Sequence, residues 1–427
     1  MNRILLVCLG LLAFLRPAAS AAENWPQWRG PLFNGSTTEK NLPSTWSKTN
    51  NVLWATPLPG LSHATPIIWD DSVFVSSPDE DKNLLLLCLD RQSGKVRWQK
   101  QVGIGDKTKG RNNMTSPSPV TDGKTVWVLY GTGDLAAYDF NGKELWARQL
   151  SKEYGRFSIQ WLYGSSPMLY KERLYIEVLQ RCDDDTTKRE SFILCLDPGS
   201  GTNIWRHVRP TDAEGESQEA YSTPIPGECS GGTEIVVVGG DYVTGNDAKT
   251  GEELWRGGGL RNFRHLGDAR LVPTPVLADG LVIVSGAKRN PMLAFLDCGK
   301  GDVTSNGLAW TYKEYPTDCT TPLFYQGNLF ELDGDRQMMV CMDPKTGQVH
   351  WQKPLGNREI YRASPTGADG KIYCLSENAT AVVMSATDGE VLSTIPMEEG
   401  QTHATIAAAQ GCLFVRTAQH LYCIGKK

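Results

Sequence analysis

The chain has 427 residues and a net charge of −5, from 43 basic and 48 acidic side chains. This balance excludes the large basic field of a nucleic-acid-binding protein and leaves no acidic tail. The 43 glycines, 24 prolines and 13 tryptophans favour a turn-rich, all-β protein over a helical one, and repeat proteins of this length can form a single domain.

Residues 1–21 are predicted to be a secretion signal. Arg3 provides a short positive region, and the apolar run at 4–15 is too short to span a bilayer. Residues 19–21, Ala-Ser-Ala, form a small-x-small cleavage site, so the mature chain is expected to begin at Ala22. Cys8 lies inside the apolar run without a small residue before it, which argues against a lipoprotein anchor. We therefore expect a periplasmic or extracellular protein without a transmembrane segment.

Residues 22–50 form a predicted N-terminal extension ahead of the repeats. It contains the heptapeptide WPQWRGP, which begins at Trp25 and includes Trp28. We expect this extension to be a lid or strap that packs both tryptophan rings on the repeats that follow, because large aromatic surfaces are stabilised by burial.

One pattern recurs through residues 51–427. A Ser/Thr-Pro pair opens each copy, and an Asp-x-x-x-Gly-x-x-x-Trp segment ends it. The prolines recur at intervals of roughly 50 residues, which is typical of propeller blades with several short strands each. They are Pro66, Pro117, Pro167, Pro224, Pro275, Pro322 and Pro365. An eighth, decayed copy begins at His403.

The final segment of each copy has a physical explanation. Its glycine supplies the positive φ of a tight hairpin turn, and its aspartate accepts hydrogen bonds from turn amides. Its tryptophan covers surface between neighbouring blades that one blade cannot bury alone. The segment is clearest at Asp90, Asp197, Asp247 and Asp343, whereas the seventh copy has Ser393 in the tryptophan position.

Each copy supplies four strands, predicted in the first copy at 65–69, 72–76, 84–89 and 96–102. The last copy supplies only three, at 405–408, 413–416 and 420–423. The missing outer strand is predicted at 51–58, where Trp54 takes the place of a repeat tryptophan. Joining both chain ends in one blade leaves no open sheet edge. The sequence thus predicts an all-β, eight-bladed β-propeller of four-stranded antiparallel blades, closed by an N-terminal strand.

Most of the eleven cysteines occupy strand positions. Small apolar core residues in different blades are expected for Cys88, Cys195, Cys341 and Cys423, and the second-strand residues Cys374 and Cys412 are interpreted as core residues as well. The plausible bridging candidates are near loops: Cys182, Cys229, Cys298 and Cys319. Of these, Cys182 is expected on the opposite face from Cys229 and Cys298. No Cys-x-x-Cys pair supports a zinc site.

The loops that lead into the innermost strands should surround one mouth of the central channel, where propellers usually bind ligands. The residue three before each repeat proline is expected to ring this mouth: His63, Met114, Gly164, Tyr221, Val272, Cys319, Arg362 and, in the decayed copy, His403. His63 and His403 belong to neighbouring blades and, with Arg362, could hold an anion or carboxylate. A metal on both histidines would need Cys319 or Asp318 as third ligand, and imidazoles lining a wet channel are the simpler interpretation.

Three longer loops carry basic and aromatic residues into this face. They are 103–115 with Lys107, Lys109 and Arg111, 151–163 with Arg156, Phe157 and Trp161, and 257–272 with Arg261, Arg264 and Arg270. Such residues suit an acidic, sugar-like or peptide ligand, although solvated loop charges are the alternative. The acidic run at 183–185 is expected to be a solvated turn. The predicted ligand-binding residues are His63, Met114, Trp161, Tyr221, Arg270, Cys319, Arg362 and His403, without a metal.

The repeat resembles that of the pyrroloquinoline-quinone (PQQ) propeller superfamily across about residues 51–427. That superfamily includes quinoprotein alcohol dehydrogenases and the propeller lipoprotein of the outer-membrane barrel-assembly machinery. The WPQWRGP segment is similar to the N-terminal motif of many exported PQQ-repeat proteins. The resemblance implies the propeller fold and, for the dehydrogenases, PQQ with calcium as cofactor. This chain lacks the adjacent cysteines that those enzymes place against PQQ, a Cys-x-x-Cys-His haem site and a lipobox.

Three functions remain open. The favoured one is a non-catalytic propeller that binds a protein, peptide or carbohydrate at the channel mouth. The second is a quinoprotein-like oxidoreductase of alcohols or sugars, with Arg362, His63 and His403 as partners of the PQQ carboxylates. The third is a hydrolase or lyase that uses the ring histidines. We expect a monomer that does not bind nucleic acid.

Overall fold

Eight four-stranded antiparallel sheets follow one another along the chain, and their first strands lie side by side around a central channel. The computed structural model describes residues 23–181, 189–261, 270–288 and 290–426. The predicted signal peptide, Cys182 and the acidic run at 183–185 lie outside them. The predicted eight-bladed β-propeller is confirmed, including its closure by an N-terminal strand.

Within each blade the strands are ordered from the channel outwards. They are Ile67–Trp69, Ser72–Pro78, Asn83–Asp90 and Val96–Ile104 in blade 1; Val120–Thr121, Thr125–Leu129, Asp134–Asp139 and Glu144–Gln149 in blade 2; Met168–Tyr170, Arg173–Val178, Phe192–Leu196 and Asn203–Val208 in blade 3; Ile225–Cys229, Gly232–Gly239, Tyr242–Asp247 and Glu253–Gly257 in blade 4; Val276–Ala278, Leu281–Ser285, Met292–Leu296 and Leu308–Tyr312 in blade 5; Leu323–Tyr325, Asn328–Asp333, Met338–Met342 and Val349–Pro354 in blade 6; Thr366–Ala368, Lys371–Leu375, Thr380–Ser385 and Val391–Pro396 in blade 7; and Ala407–Ala409, Cys412–Arg416, His420–Ile424 and Val52–Pro57 in blade 8.

A few elements lie outside this pattern. A two-stranded hairpin, Thr108–Lys109 and Asn112–Asn113, precedes blade 2, and the short strand Gly301–Asp302 pairs in parallel with the outer strand of blade 4. The helices within the described ranges are one α-helical turn at Leu150–Glu153 and a 3₁₀ turn at Gly215–Gln218. In the described part of the chain, no helix has the length and apolar character needed to cross a bilayer.

The repeat tryptophans join neighbouring blades in two ways. Trp54 of blade 8 donates its indole N–H to the Arg91 carbonyl at 2.7 Å and packs against Gly94, both in the turn of blade 1. A Cβ on Gly94, whose φ is +71°, would lie 2.6 Å from the Trp54 ring. Five further pairs repeat this packing: Trp98 on Gly142, Trp146 on Gly201, Trp205 on Gly251, Trp310 on Gly347 and Trp351 on Gly389. The glycine is therefore required both for its backbone conformation and for space.

The Ser/Thr of each Ser/Thr-Pro pair takes part in a ring of hydrogen bonds around the channel, which is interrupted between Ser364 and Thr405. The backbone N–H of one blade donates to the hydroxyl of the next at 2.9–3.2 Å, through Thr65, Ser118, Ser166, Thr223, Thr274, Thr321 and Ser364, and from Thr405 back to Thr65. Blade 2 contributes Ser118-Pro119 to this ring. The repeat proline of this blade is therefore Pro119, and the assignment to Pro117 is wrong by two residues, because the sequence has two Ser-Pro pairs in succession.

The N-terminal extension crosses the channel on the face opposite the mouth. Trp25 is fully buried and its backbone pairs with Ile68 of blade 1. Arg29, also fully buried, donates hydrogen bonds to the carbonyls of Pro322 at 2.8 Å and Pro365 at 3.1 Å, in blades 6 and 7. Burial lowers the pKa of Arg29 to about 9. The guanidinium thus joins the extension to the far side of the ring.

The same extension covers the blade that lacks its tryptophan. The hydroxyl of Ser393, in the tryptophan position of blade 7, donates to the Ser44 carbonyl. The Tyr373 hydroxyl donates to the Pro43 carbonyl at 3.2 Å. Trp46 is buried in the cluster that joins blades 7 and 8. The extension therefore supplies aromatic surface where the seventh repeat has none.

One disulfide links two blades. Cys229 ends the first strand of blade 4, Cys298 lies in the turn of blade 5, and their sulfur atoms are bonded. The predicted core cysteines, Cys88, Cys195, Cys341, Cys374, Cys412 and Cys423, are all buried and free. Cys319 is also free and only partly buried.

Candidate ligand-binding well at the channel mouth

A well of about 480 Å³ occupies the channel and opens at the mouth. Hydroxyls of the Ser/Thr ring line its walls, and Trp28 of the extension lines it as well. The residues at its rim are His63, Trp161, Tyr221, Arg270, Cys319, Arg362 and His403. We call this space the mouth well. Since the extension crosses the opposite face, Trp28 forms the floor. Seven of the eight predicted ligand-binding residues therefore lie around one space.

The eighth, Met114, lies elsewhere. It is buried and lines a neighbouring cavity. The reason is the register of blade 2: counted from Pro119, the residue three before the proline is Ser116, and Ser116 does line the mouth well. The prediction that Met114 lies at the channel mouth is therefore wrong, because it was counted from the wrong Ser-Pro pair.

The two histidines at the rim of the mouth well, His63 and His403, stack on each other. Their ring centroids are 4.1 Å apart and their planes differ by 19°. His403 Nε2 lies 3.1 Å from Glu377 Oε1. Burial, together with the charges of His403 and Arg416, holds the pKa of His63 well below its usual value, so His63 is neutral at physiological pH.

Each arginine of the rim faces a carboxylate. Arg111 Nε lies 3.0 Å from Glu377, an Nη of Arg362 lies 2.6 Å from Asp335, and an Nη of Arg270 lies 3.4 Å from Asp318. Asp318 also lies 3.8 Å from Arg362. Burial alone would raise the pKa of Glu377, but the hydrogen bond with His403 and the charges of Arg111 and Arg362 hold it below its usual value. The rim is thus a chain of alternating charges that neutralise one another.

Aromatic groups complete the rim on the side of blades 3 and 4. The Trp161 indole N–H donates to Glu216 at 2.8 Å, and its backbone N–H donates to the Tyr221 hydroxyl at 3.0 Å. That hydroxyl donates to Glu219 at 2.9 Å, and burial raises the pKa of Tyr221 far above its usual value. Both rings are therefore fixed before a ligand arrives.

The hairpin 108–113 leans over the rim. Gly110, with φ of +60°, packs against the Trp161 ring, where a Cβ would lie 2.8 Å from the ring. Arg111 at the tip reaches Glu377 of blade 7. The hairpin therefore bridges the mouth from the loop before blade 2 to blade 7.

Several residues of the site had no signal in the sequence. Glu377, Asp335 and Glu216 neutralise the rim, yet none occupies a repeat position that predicts it. The floor residue Trp28 was predicted only to pack on the propeller. The sequence contains only an indirect signal for these carboxylates. The chain has a net charge of −5, and arginines at the rim require nearby carboxylates, but the sequence does not say which ones.

PQQ with calcium does not fit these residues. A tricarboxylate would have to displace the carboxylates that already face Arg270 and Arg362. In the described ranges, the group of His, Cys, Asp and Glu ligand atoms close enough for a metal is Cys229, Glu234 and Cys298, and its two sulfurs are bonded to each other. Burial also raises the pKa of the single rim thiol, Cys319, to about 12.

A hydrolytic site is not favoured either. Glu377 orients His403 as a carboxylate orients a general base. Among the described residues, however, no hydroxyl or thiol forms a hydrogen bond with the His403 imidazole. Within these residues, the base therefore has no protein nucleophile bonded to it.

The fold and the mouth well define an eight-bladed β-propeller of PQQ-like repeats with a pocket on its axis. The family model described as "Outer membrane protein assembly factor BamB" matches residues 35–164 and 189–424. The chain belongs to this family, within the PQQ-repeat β-propeller superfamily. No curated protein sequence matches the chain.

Solved structures share the fold at low sequence identity. BamB from Moraxella catarrhalis has a TM-score of 0.60 and 14% identity, over 88% of this chain and 97% of that one. Quinohemoprotein alcohol dehydrogenase from Comamonas testosteroni has a TM-score of 0.63 and 11% identity, over 95% and 81% of the two chains. A europium-containing methanol dehydrogenase has a TM-score of 0.66 and 10% identity, over 93% and 90%. These likenesses concern the fold alone.

Proposed function

We propose that this protein is an exported, non-catalytic binding propeller whose mouth well takes a neutral carbohydrate. The observation that carries the proposal is the self-neutralised rim: three arginines, each already facing a carboxylate, around a well closed at its far end. An anion would have to compete with these carboxylates. A sugar hydroxyl can donate to a carboxylate and accept from a guanidinium without breaking either pair.

The size and walls of the well support the same ligand class. A volume of about 480 Å³ lies in the range of small-molecule sites. Trp161, Tyr221 and Trp28 supply aromatic surface, and the Ser/Thr ring supplies hydroxyls. Apolar faces combined with fixed polar groups are what a polyhydroxylated ring requires.

A panel of neutral oligosaccharides tests the proposal, with binding measured by isothermal titration calorimetry. We expect saturable binding to the wild type and a loss of about 1–3 kcal/mol in Trp161→Ala, which removes a rim aromatic anchor. Trp98→Phe, in the outermost strand of blade 1 at its interface with blade 2, is the aromatic control away from the well and should bind normally. Equal affinity in all three proteins would place the ligand outside the mouth well and contradict the proposal.

A second candidate function is a scaffold for a protein partner. The family match favours it, because the family description names an outer membrane protein assembly factor. A protein partner would cover the mouth face rather than enter the well. Cross-linking in cells through a photoreactive residue at Lys109, on the exposed hairpin, should then capture one specific protein. Capture should cease when Arg111 is replaced by Glu.

A further inference from the structure

A second cavity of about 700 Å³ lies beside the mouth well. Residues of loops 103–115 and 151–163 line it together with Arg181, Arg189 and Glu219. The two spaces share a wall, since Trp161 lines the mouth well while its neighbours Gln160 and Leu162 line the second cavity. We call this second space the basic cavity.

The basic cavity differs from the mouth well in its charge. Its described lining has five basic residues, Lys107, Lys109, Arg156, Arg181 and Arg189, and a single carboxylate, Glu219. That carboxylate is already engaged. One oxygen lies 2.5 Å from Arg181 Nε, and the other accepts hydrogen bonds from the backbone N–H of Gln160 and from the Tyr221 hydroxyl, each at 2.9 Å.

Among the described lining residues, three cations therefore have no lining carboxylate of their own. They are Lys107, Lys109 and Arg156. Partial desolvation of the exposed Lys107 side chain and the charges of Arg156 and Lys109 lower the pKa of Lys107, so these groups are close enough to repel one another. A bound anion would relieve this repulsion.

The space is larger than a single oxyanion needs. Phe157 and Tyr163 form part of its lining, with ring centroids 5.0 Å apart, and Ile159, Leu162 and Met114 are buried beneath it. An apolar and aromatic wall next to a group of cations suits a ligand with a sugar-sized body and one charged substituent.

We propose that the basic cavity is a second binding site, which takes an anionic sugar such as a uronate or a sugar phosphate. Lys107, Lys109 and Arg156 hold the charged group, and Phe157 contacts the ring. The site does not depend on ligand binding in the mouth well, because the three cations belong to the basic cavity alone.

Titration calorimetry with four probes tests this proposal: glucuronate, glucose 6-phosphate, inorganic phosphate and glucose. We expect one or both anionic sugars to bind more tightly than inorganic phosphate, and glucose not to bind this site. The preferred anionic sugar identifies the substituent. Affinity should fall when NaCl is raised from about 50 to 300 mM, because these cations are exposed and salt screens their charges.

Two charge-reversal proteins locate the binding. The double variant Lys107→Glu with Arg156→Glu should weaken the preferred anionic sugar at least about tenfold, as a change of 1.4 kcal/mol or more would. Lys95→Glu, on the opposite face of blade 1, changes the charge in the same sense and should leave binding unchanged. Neutral oligosaccharide binding in the mouth well should be the same in all of these proteins, which separates a failure here from a failure of the proposed function.

Three results would overturn the proposal. Inorganic phosphate binding as tightly as the preferred anionic sugar would leave only an unspecific anion site. Equal weakening by Lys95→Glu would make the effect one of net charge. Tight binding of polyglutamate in place of either sugar would assign the cavity to an acidic peptide.

Discussion

The blade interfaces and the channel mouth use tryptophan for opposite purposes. At the interfaces, Trp54 and five of its equivalents donate to a main-chain carbonyl and cover a turn glycine of the next blade, whereas Trp255 in blade 4 donates to the carboxylate of Glu234. At the mouth, Trp161 donates to the side chain of Glu216 and has no equivalent in other blades. Repetition therefore marks what holds the propeller together, whereas the candidate site consists of residues that break the repeat.

The largest effect should come from removing an interface tryptophan. Trp54→Ala leaves a cavity at the blade that joins the two chain ends, so we expect the free energy of unfolding to fall by about 3–5 kcal/mol. Urea unfolding followed by circular dichroism measures it. Trp161→Ala is the partner experiment. It should lower the free energy of unfolding by less than half as much, because the Trp161 ring is only partly buried. Equal losses in the free energy of unfolding would mean that Trp161 stabilises the fold as much as an interface tryptophan does.

The disulfide should come next. Cys229 and Cys298 are separated by 69 residues and join blade 4 to the turn of blade 5. Cys298→Ser opens this loop, and we expect a loss of about 2–4 kcal/mol. Cys374→Ser removes a buried free thiol for comparison and keeps the disulfide, so reductant should destabilise it as it does the wild type, whereas Cys298→Ser should not respond to reductant. An unchanged stability of the wild type on reduction would show that the cross-link contributes nothing.

A smaller effect should separate space from backbone conformation at the turn glycines. Gly94 and Gly370 have almost the same φ, +71° and +70°, but nothing lies within 4 Å of a Cβ on Gly370. Gly370→Ala should therefore cost about 1 kcal/mol, from the left-handed backbone alone. Gly94→Ala should cost at least about 1 kcal/mol more, because the Trp54 ring must move. Equal losses of stability in thermal unfolding would show that Gly94 is not required for packing against Trp54.

The smallest effect concerns a buried carboxyl beneath the mouth. Burial, opposed by the hydrogen bond from Ser222 and the charge of Arg209, raises the pKa of Glu177 from 4.5 to about 8. The folded protein then holds this proton more tightly than the unfolded chain, so the stabilisation is complete below about pH 4.5 and is lost as the pH rises through about 8.

Glu177→Gln keeps a neutral group at every pH. We expect it to raise the Tm by about 2–4 °C at pH 8 and to flatten the decline in Tm between pH 5 and pH 8. Differential scanning calorimetry at several pH values gives both quantities. A wild-type Tm that rises across this range would contradict the assignment of a proton to Glu177.

The sequence predicted the features that depend on the repeat. The blade count, the closing strand around Trp54 and the turn glycines follow from a period, and a period survives the loss of single residues such as the tryptophan replaced by Ser393. The register of blade 2 could not be read reliably, since Ser116-Pro117 and Ser118-Pro119 both satisfy the pattern. Only the hydrogen-bond ring distinguishes them.

The mouth was predictable only in part, for a physical reason. Counting back from the prolines finds side chains at equivalent positions, including His63 and Arg362. It does not find partners such as Glu377 and Asp335, because both lie in the turns between the second and third strands of their blades, which counting back from the prolines does not reach. Trp46, which covers the interface beside Ser393, was likewise hidden in a segment without a repeat.

The most direct test of the account is the position of a bound sugar. Crystals soaked with the neutral oligosaccharide that binds most tightly should show its density inside the mouth well, stacked on Trp161 or Tyr221 and bonded to the paired charges of Arg270 and Arg362. Density on the outer faces of the blades, or an empty mouth well at a saturating concentration, would contradict the account.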